Sequence, residues 1–451
     1  MLITNAKLIT WEKPNRVLEG HALLIRGDRI QELGLVEDLL SRYPLEERLD
    51  ARGQYVMPGN ICAHTHFYGA FARGMAIPGS APKDFPDILR KLWWPLDLAL
   101  GPQDVRASAG VMLVDAIRHG ATTLIDHHAS PNAIEGSLDV IAGEVDQSGL
   151  RAVLCYEVTD RNGRDGALAG IQENLRFINR TRHEPVAGGR VAATFGLHAS
   201  LTLSDATLEA CRSSVPESVG FHLHLAEGEV DEYDSLAKSG LRTAERLHKH
   251  GILGANSIVA HGVHLDVREA MLVAETGTWL THQPRSNMNN GVGVAGVEAL
   301  LRAGIPVCIG TDGFYHAMWE EWKTAYLLQK VWHRDPRRMN GADIVEMGVY
   351  NNAALAGKFF PDAPIGVIQS GAYADLIFVD YHPHTPLTPG NLPWQILFGF
   401  HESMVTTTIA AGKVLMLDRK LLTMDEAAIT ARARQLAPAV WSRYAANVPT
   451  D

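Results

Sequence analysis

The sequence predicts an α/β protein: a (β/α)8 TIM barrel with a small composite β-sandwich domain built from both chain ends. Three observations carry this. Eight apolar, β-branched stretches alternate with helix-like stretches between residues 56 and 312, the pattern of a barrel of βα units. No glycine-rich phosphate loop follows the first stretch, as an open doubly wound sheet would advertise. Both ends carry short strands punctuated by glycine.

The predicted barrel strands are 55–66, 121–126, 151–158, 190–199, 219–227, 256–262, 278–284 and 305–313. Between them, "PQDVRASAGVMLVDAIRHG" repeats apolar residues at spacings of three and four, and "LSDATLEACR" opens with an N-cap at Ser204. Residues 1–57 and 366–416 read as short strands, followed by a helix near 424–445. Neither end holds enough strands for a sandwich alone, so the two are expected to pair. The expected division is 1–57, N-terminal part of the β domain; 58–361, barrel; 362–451, C-terminal part plus terminal helix.

A net charge of −10 argues against a nucleic-acid or anionic membrane surface. No apolar run reaches the ~18 residues of a membrane span, and "MLITNAKLIT" lacks the pattern of a signal peptide. Cys62, Cys155, Cys211 and Cys308 show no CxxC spacing, which reads as reduced thiols in a cytoplasmic protein.

Twenty histidines in 451 residues predict roughly one HxH pair by chance. There are four: His64/His66, His222/His224, His248/His250 and His382/His384. Position sorts them. The 248/250 pair ends a charged helix, where cations complement the helix dipole, and the 382/384 pair sits in a proline-rich turn. The other two close predicted strands one and five, at the barrel face where catalytic residues collect. His198, Glu227, His261 and Asp312 end strands four, five, six and eight, so all converge on one mouth. His127 and His128, after strand two, are left undecided.

Three imidazoles and a carboxylate suit one divalent ion, zinc first and iron or manganese next, with a position open for water. A bound ion pulls the water pKa from ~15.7 toward ~7. Hydrolysis at carbon then needs a group to take the water proton, for which Asp312 and His261 are candidates. It also needs an acid for the leaving nitrogen, for which Glu227 is the candidate. His222 reads as a packing residue or a support to a ligand. Strand four has no lysine to bridge two metals, which favours one ion. The loop 67–101 holds Phe67, Tyr68, Phe71, Arg73, Trp93 and Trp94. Its aromatics and arginine suit a flat, polar heteroaromatic ring, which makes Arg73 and Trp93 substrate-binding candidates.

The ordered motifs "MPGNICAHTHFYGAFARGM", "KLWWPLD", "TTLIDHHASP", "GLHASLTLS", "HLHLAEGEVDEYDSLAKSG", "AHGVHL", "HQPRSNMNNGVG" and "GTDG" span nearly the whole chain. Through them the chain resembles the amidohydrolase superfamily, in its cytosine, guanine and S-adenosylhomocysteine deaminase-like branch, and most of all the SsnA-type aminohydrolases. The resemblance implies His64, His66, His224 and Asp312 as metal ligands, Glu227 as general acid and proton shuttle, and His261 as the residue that orients the water. It implies substrate contacts at His198, Gln283 and Asn287, and a homodimer or higher homo-oligomer. Two departures, "HQP" before the strand-seven loop and "GTDG" in place of the commoner "GTDS", fall where substrate should sit. The histidine-plus-cysteine zinc signature of nucleobase-editing deaminases is absent.

The expected activity is hydrolytic deamination of a purine, pterin or related nitrogen heterocycle, with ammonia released. The alternatives are removal of chloride or an alkylamine from a triazine, cleavage of a cyclic amide, or a non-catalytic metal-dependent binding protein. Retention of Glu227 and His261 argues against the last.

Overall fold

The computed structural model describes residues 1–449. Parallel strands Asn60–Thr65, Ala121–Asp126, Arg151–Leu154 and Val191–Ala193 pair in sequence order. Phe195–Ala199, Phe221–Leu225, Ile258–His261, Trp279–His282 and Val307–Ile309 do the same. Strand four is therefore two pieces, one pairing with each neighbour. A bridge between Thr65 and Asp312 joins strand eight to strand one and closes the barrel.

Two extended stretches differ from expectation. The run 55–66 breaks at Gly59: Tyr55–Pro58 joins the outer sheet, while Asn60–Thr65 enters the barrel. A Cβ at Gly59 would lie 2.2 Å from Thr122 Cγ2, so only glycine fits the crossover. Strand three ends at Leu154, beyond which only isolated bridges at Tyr156 and Val158 continue it.

The chain ends meet in one nine-stranded sheet. The seam is an antiparallel pairing of Tyr55–Pro58 with Leu376–Val379, from Leu376 opposite Pro58 to Val379 opposite Tyr55. One face buries Ile3, Leu23, Ile25 and Val56 against Leu376, Phe378 and Ile409, so both ends share one core. A buried pair, Arg151 Nε to Asp375 Oδ2 at 2.8 Å, ties barrel strand three to this sheet.

The last helix, Glu426–Asn447, is capped by Asp425 and lies on the barrel rather than on the sheet. Its Trp441 Nε1 donates to Phe71 O (2.9 Å), Arg443 Nε to Ala99 O (2.7 Å) and Tyr444 Oη to Lys91 O (2.6 Å). These acceptors lie in the loop between strand one and its helix, Pro102–His119. No described helix is long and apolar enough to cross a membrane, and all four cysteines are buried and free.

Candidate metal centre and substrate pocket

Strands one, five and eight bring His64, His66, His224 and Asp312 together, with one ligand atom of each within 4.8 Å of the others. His66 Nε2 lies 2.8 Å from Asp312 Oδ1, His64 Nε2 3.6 Å from the same oxygen, and His224 Nε2 3.3 Å from His66 Nε2. Each imidazole is fixed through its other nitrogen. His64 Nδ1 is 2.8 Å from His222 Nε2, His66 Nδ1 donates to His127 O at 2.6 Å, and His224 Nδ1 donates to His198 O at 2.9 Å. All three Nε2 atoms are thereby turned inward, and His64 Nε2 is buried without a hydrogen-bond partner. Donation from Nδ1 to a carbonyl turns Nε2 of His66 and His224 toward the cluster, and the four converging donor groups fit a divalent ion. Burial holds the His64 imidazole down to about 3 and that of His224 well below its usual range. Burial also opposes charge on His66, but Asp312 overrides it and lifts His66 to about 9.

Glu227 stands beside this cluster, its Oε2 3.3 Å from His261 Nε2 and its Oε1 accepting from Asn290 Nδ2 at 3.2 Å. Burial raises its pKa, against the pull of His261. Ala226, His261 and Asp312 adopt φ of +49°, +76° and +54°. These three non-glycine residues hold the less favoured left-handed conformation where the strands end around the cluster.

The loop bearing Asp312 is latched to its surroundings. Thr65 Oγ1 donates to Asp312 O at 3.2 Å and lies 3.1 Å from His316 Nε2. His316 in turn donates to Asp115 Oδ2 from its backbone N (2.8 Å) and from Nδ1 (3.2 Å).

The cluster opens into a pocket lined by His66, Tyr68, Trp93, Trp94, His198 and Glu227, among others. His198 and Trp93, expected from the sequence to meet substrate, line it. Arg73, Gln283 and Asn287 do not. Arg73 is exposed beyond the turn Phe67–Ala72, in an outer groove against the last helix. Gln283 Oε1 accepts from His261 N at 3.1 Å, and Asn287 Oδ1 accepts from His261 Nδ1 at 2.8 Å. Both are fully buried behind His261 and support that residue rather than line the pocket.

The two sequence departures have physical reasons. Gln283 of "HQP" props the His261 backbone. A Cβ at Gly313 of "GTDG" would come 2.9 Å from Trp93 Cη2, so glycine there lets the indole reach the mouth. His127 donates from Nε2 to Leu197 O at 2.9 Å, and His128 Nε2 is 2.8 Å from Ser130 Oγ; both sit in the wall behind the pocket. His382 is exposed beside Asp380, and His250, at the C-cap of Thr243–Lys249, lies 3.4 Å from Asp205.

Sequence reasoning missed Asp97, Glu157 and Asn290, all of which line the pocket. Glu157 had a signal: it is an acid at the end of a predicted strand. Arg161 Nη2 donates at 3.0 Å both to Asp97 Oδ2 and to Glu157 Oε1. Burial raises Asp97 to about 7. Burial also works against charge on Glu157, but His198, His127 and Arg161 hold it below the usual carboxylate range.

A model of the amidohydrolase family matches residues 55–415. The chain belongs to the amidohydrolase family. This amidohydrolase is 34% identical over 406 residues to a 5-methylthioadenosine/S-adenosylhomocysteine deaminase of Haloarcula marismortui, covering 88% of this chain and 89% of that one. It is 31% identical to a 5'-deoxyadenosine deaminase of Methanobrevibacter smithii, covering 92% of each. Among solved structures, an adenosine deaminase from Xanthomonas campestris with bound zinc superposes with a TM-score of 0.85 at 27% identity, covering 98% of both chains. The barrel with an appended β-rich domain is thus shared with that solved structure, and the chain is a hydrolase of carbon–nitrogen bonds with a divalent-metal site.

Proposed function

We propose that this amidohydrolase deaminates an aminopurine or a closely related amino-heterocycle, such as a pterin, exchanging a ring C–NH2 for C=O with water consumed and ammonia released. The observation that carries the reading is a buried Glu227, its pKa raised by burial, beside His261 and the three-histidine, one-aspartate cluster, at the floor of an aromatic pocket. The named relatives, which are deaminases of adenosine derivatives, support it.

His64, His66, His224 and Asp312 would hold the ion, zinc by preference for this donor set. When bound, the ion supplies a water acidic enough to attack carbon at neutral pH. The chain's own residues do the rest. His261, fixed by Asn287 and Gln283, orients the water, and Asp312 and His261 are placed to take its proton. Glu227, whose pKa burial raises, delivers a proton to the ring nitrogen next to the reacting carbon. Trp93, Tyr68 and His198 hold the ring. The free buried thiols suit the cytoplasm, and the homodimer implied by the family resemblance completes the reading.

Ammonia release across neutral aminopurines, pterins and triazines, with metal content measured on the same protein, tests this. About one ion per chain and ammonia from a purine or pterin are expected. No ammonia from any compound sinks the reading, and two ions per chain sink the single-metal site.

A further inference from the structure

The described residues lining the pocket include five carboxylates, Asp97, Glu157, Glu227, Asp231 and Asp312, and neither lysine nor arginine. Asp312 and Glu227 belong to the metal centre and the proton path. Asp231 faces the backbone, accepting from Leu201 N at 3.0 Å and Ala226 N at 2.8 Å. Asp97 and Glu157 remain as one wall, and they share a single guanidinium. Arg161 sits behind that wall, pinned by both carboxylates and by Thr159 Oγ1 at 3.2 Å from its Nε, with its guanidinium 4.9 Å from the Trp94 ring centre. It cannot swing out to meet a ligand without breaking all of these. Asp97 Oδ1 is buried with no hydrogen-bond partner, an acceptor that a donor on a bound molecule would satisfy.

We propose that Glu157 sets charge selection in this pocket, so that a neutral or cationic amino-heterocycle is accepted and one bearing a carboxylate or phosphate toward the Asp97–Glu157 wall is refused. This rests on the deaminase reading above and narrows its substrate class to free bases and nucleosides without an anionic arm. Two carboxylates against one guanidinium leave the wall with one negative charge, and an anion ~6 Å from it at an effective dielectric of ~20 is disfavoured by up to about 100-fold relative to its neutral counterpart.

The test uses the metal-loaded enzyme and size-matched trios differing in charge. For adenosine these are the 5'-amino-5'-deoxy compound, adenosine and the 5'-carboxylate. For pterin they are the 6-aminomethyl, 6-hydroxymethyl and 6-carboxylate compounds. In the wild type, kcat/KM should be at least as high for the cation as for the neutral compound and up to about 100-fold lower for the anion, with the loss in KM. In E157Q the gap to the anion should largely close, and in E157D it should persist. Equal wild-type values for anion and neutral compound overturn the inference alone. So does an unchanged gap in an E157Q protein that still turns over the neutral compound. If E157Q does not fold, the wild-type cation decides: exclusion of cation and anion alike is steric and also overturns it. No ammonia from any neutral member overturns the deaminase reading and this inference with it.

Discussion

Replacing His316 by alanine should loosen metal binding without touching a ligand. His316 gives Asp115 Oδ2 two hydrogen bonds, at 2.8 and 3.2 Å, and stands 3.1 Å from Thr65 Oγ1, which holds the Asp312 carbonyl. Alanine keeps the backbone bond and removes the ring, so Asp115 loses one charge-assisted bond worth about 1.5–3 kcal/mol. Thr65 loses its outer support, and Asp312 can drift on its left-handed backbone. Outer partners of metal ligands typically carry 10–100-fold in affinity, and ~1.4 kcal/mol per tenfold puts the lost bond in that range. Competition with a chromophoric chelator measures the affinity, and thermal unfolding of the metal-free protein reports stability separately. A Kd for zinc within about twofold of wild type would show that the strand-eight loop is held by something other than the Thr65–His316–Asp115 chain.

Glu227→Gln should keep a full complement of metal and lose about 10²–10⁴-fold in kcat; near-normal turnover would remove Glu227 from the acid role. In the metal-free protein His66 is held up to about 9, so it carries a proton at neutral pH that an incoming ion must displace. Metal affinity should therefore rise about tenfold per pH unit toward pH 9 and level off above it. Calorimetry in buffers of different ionisation heat reads the released proton, and uptake without release near pH 7 would contradict the His66–Asp312 pairing.

The barrel was legible because buried parallel strands carry dense β-branched runs and their helices a clear 3.6 period. The metal cluster was legible for a related reason: strand ends of one barrel face converge, so types and positions along the chain suffice. What failed was side-chain direction past a strand's last hydrogen bond. Gln283 and Asn287 sit next to strand seven, yet they turn toward His261, whose positive φ exposes its N and Nδ1 to them. Arg73 follows a tight turn that carries the chain outward. Asp97 and Glu157 reach the same wall from segments 60 residues apart in sequence, drawn together by Arg161, a relation no local pattern contains.

The last helix anchors the loop that roofs the pocket through Phe71, Lys91 and Ala99, all some 350 residues earlier in the chain. The metal-ligand candidates, from His64 to Asp312, all lie outside this helix, so the donors and the fastening of the roof belong to different segments of the chain. Loosening the helix should therefore open the mouth to bulk water while leaving every donor in place. Removing or encumbering the helix Glu426–Asn447 should then act on the chemistry of the mouth, whose residues stand far from it in sequence.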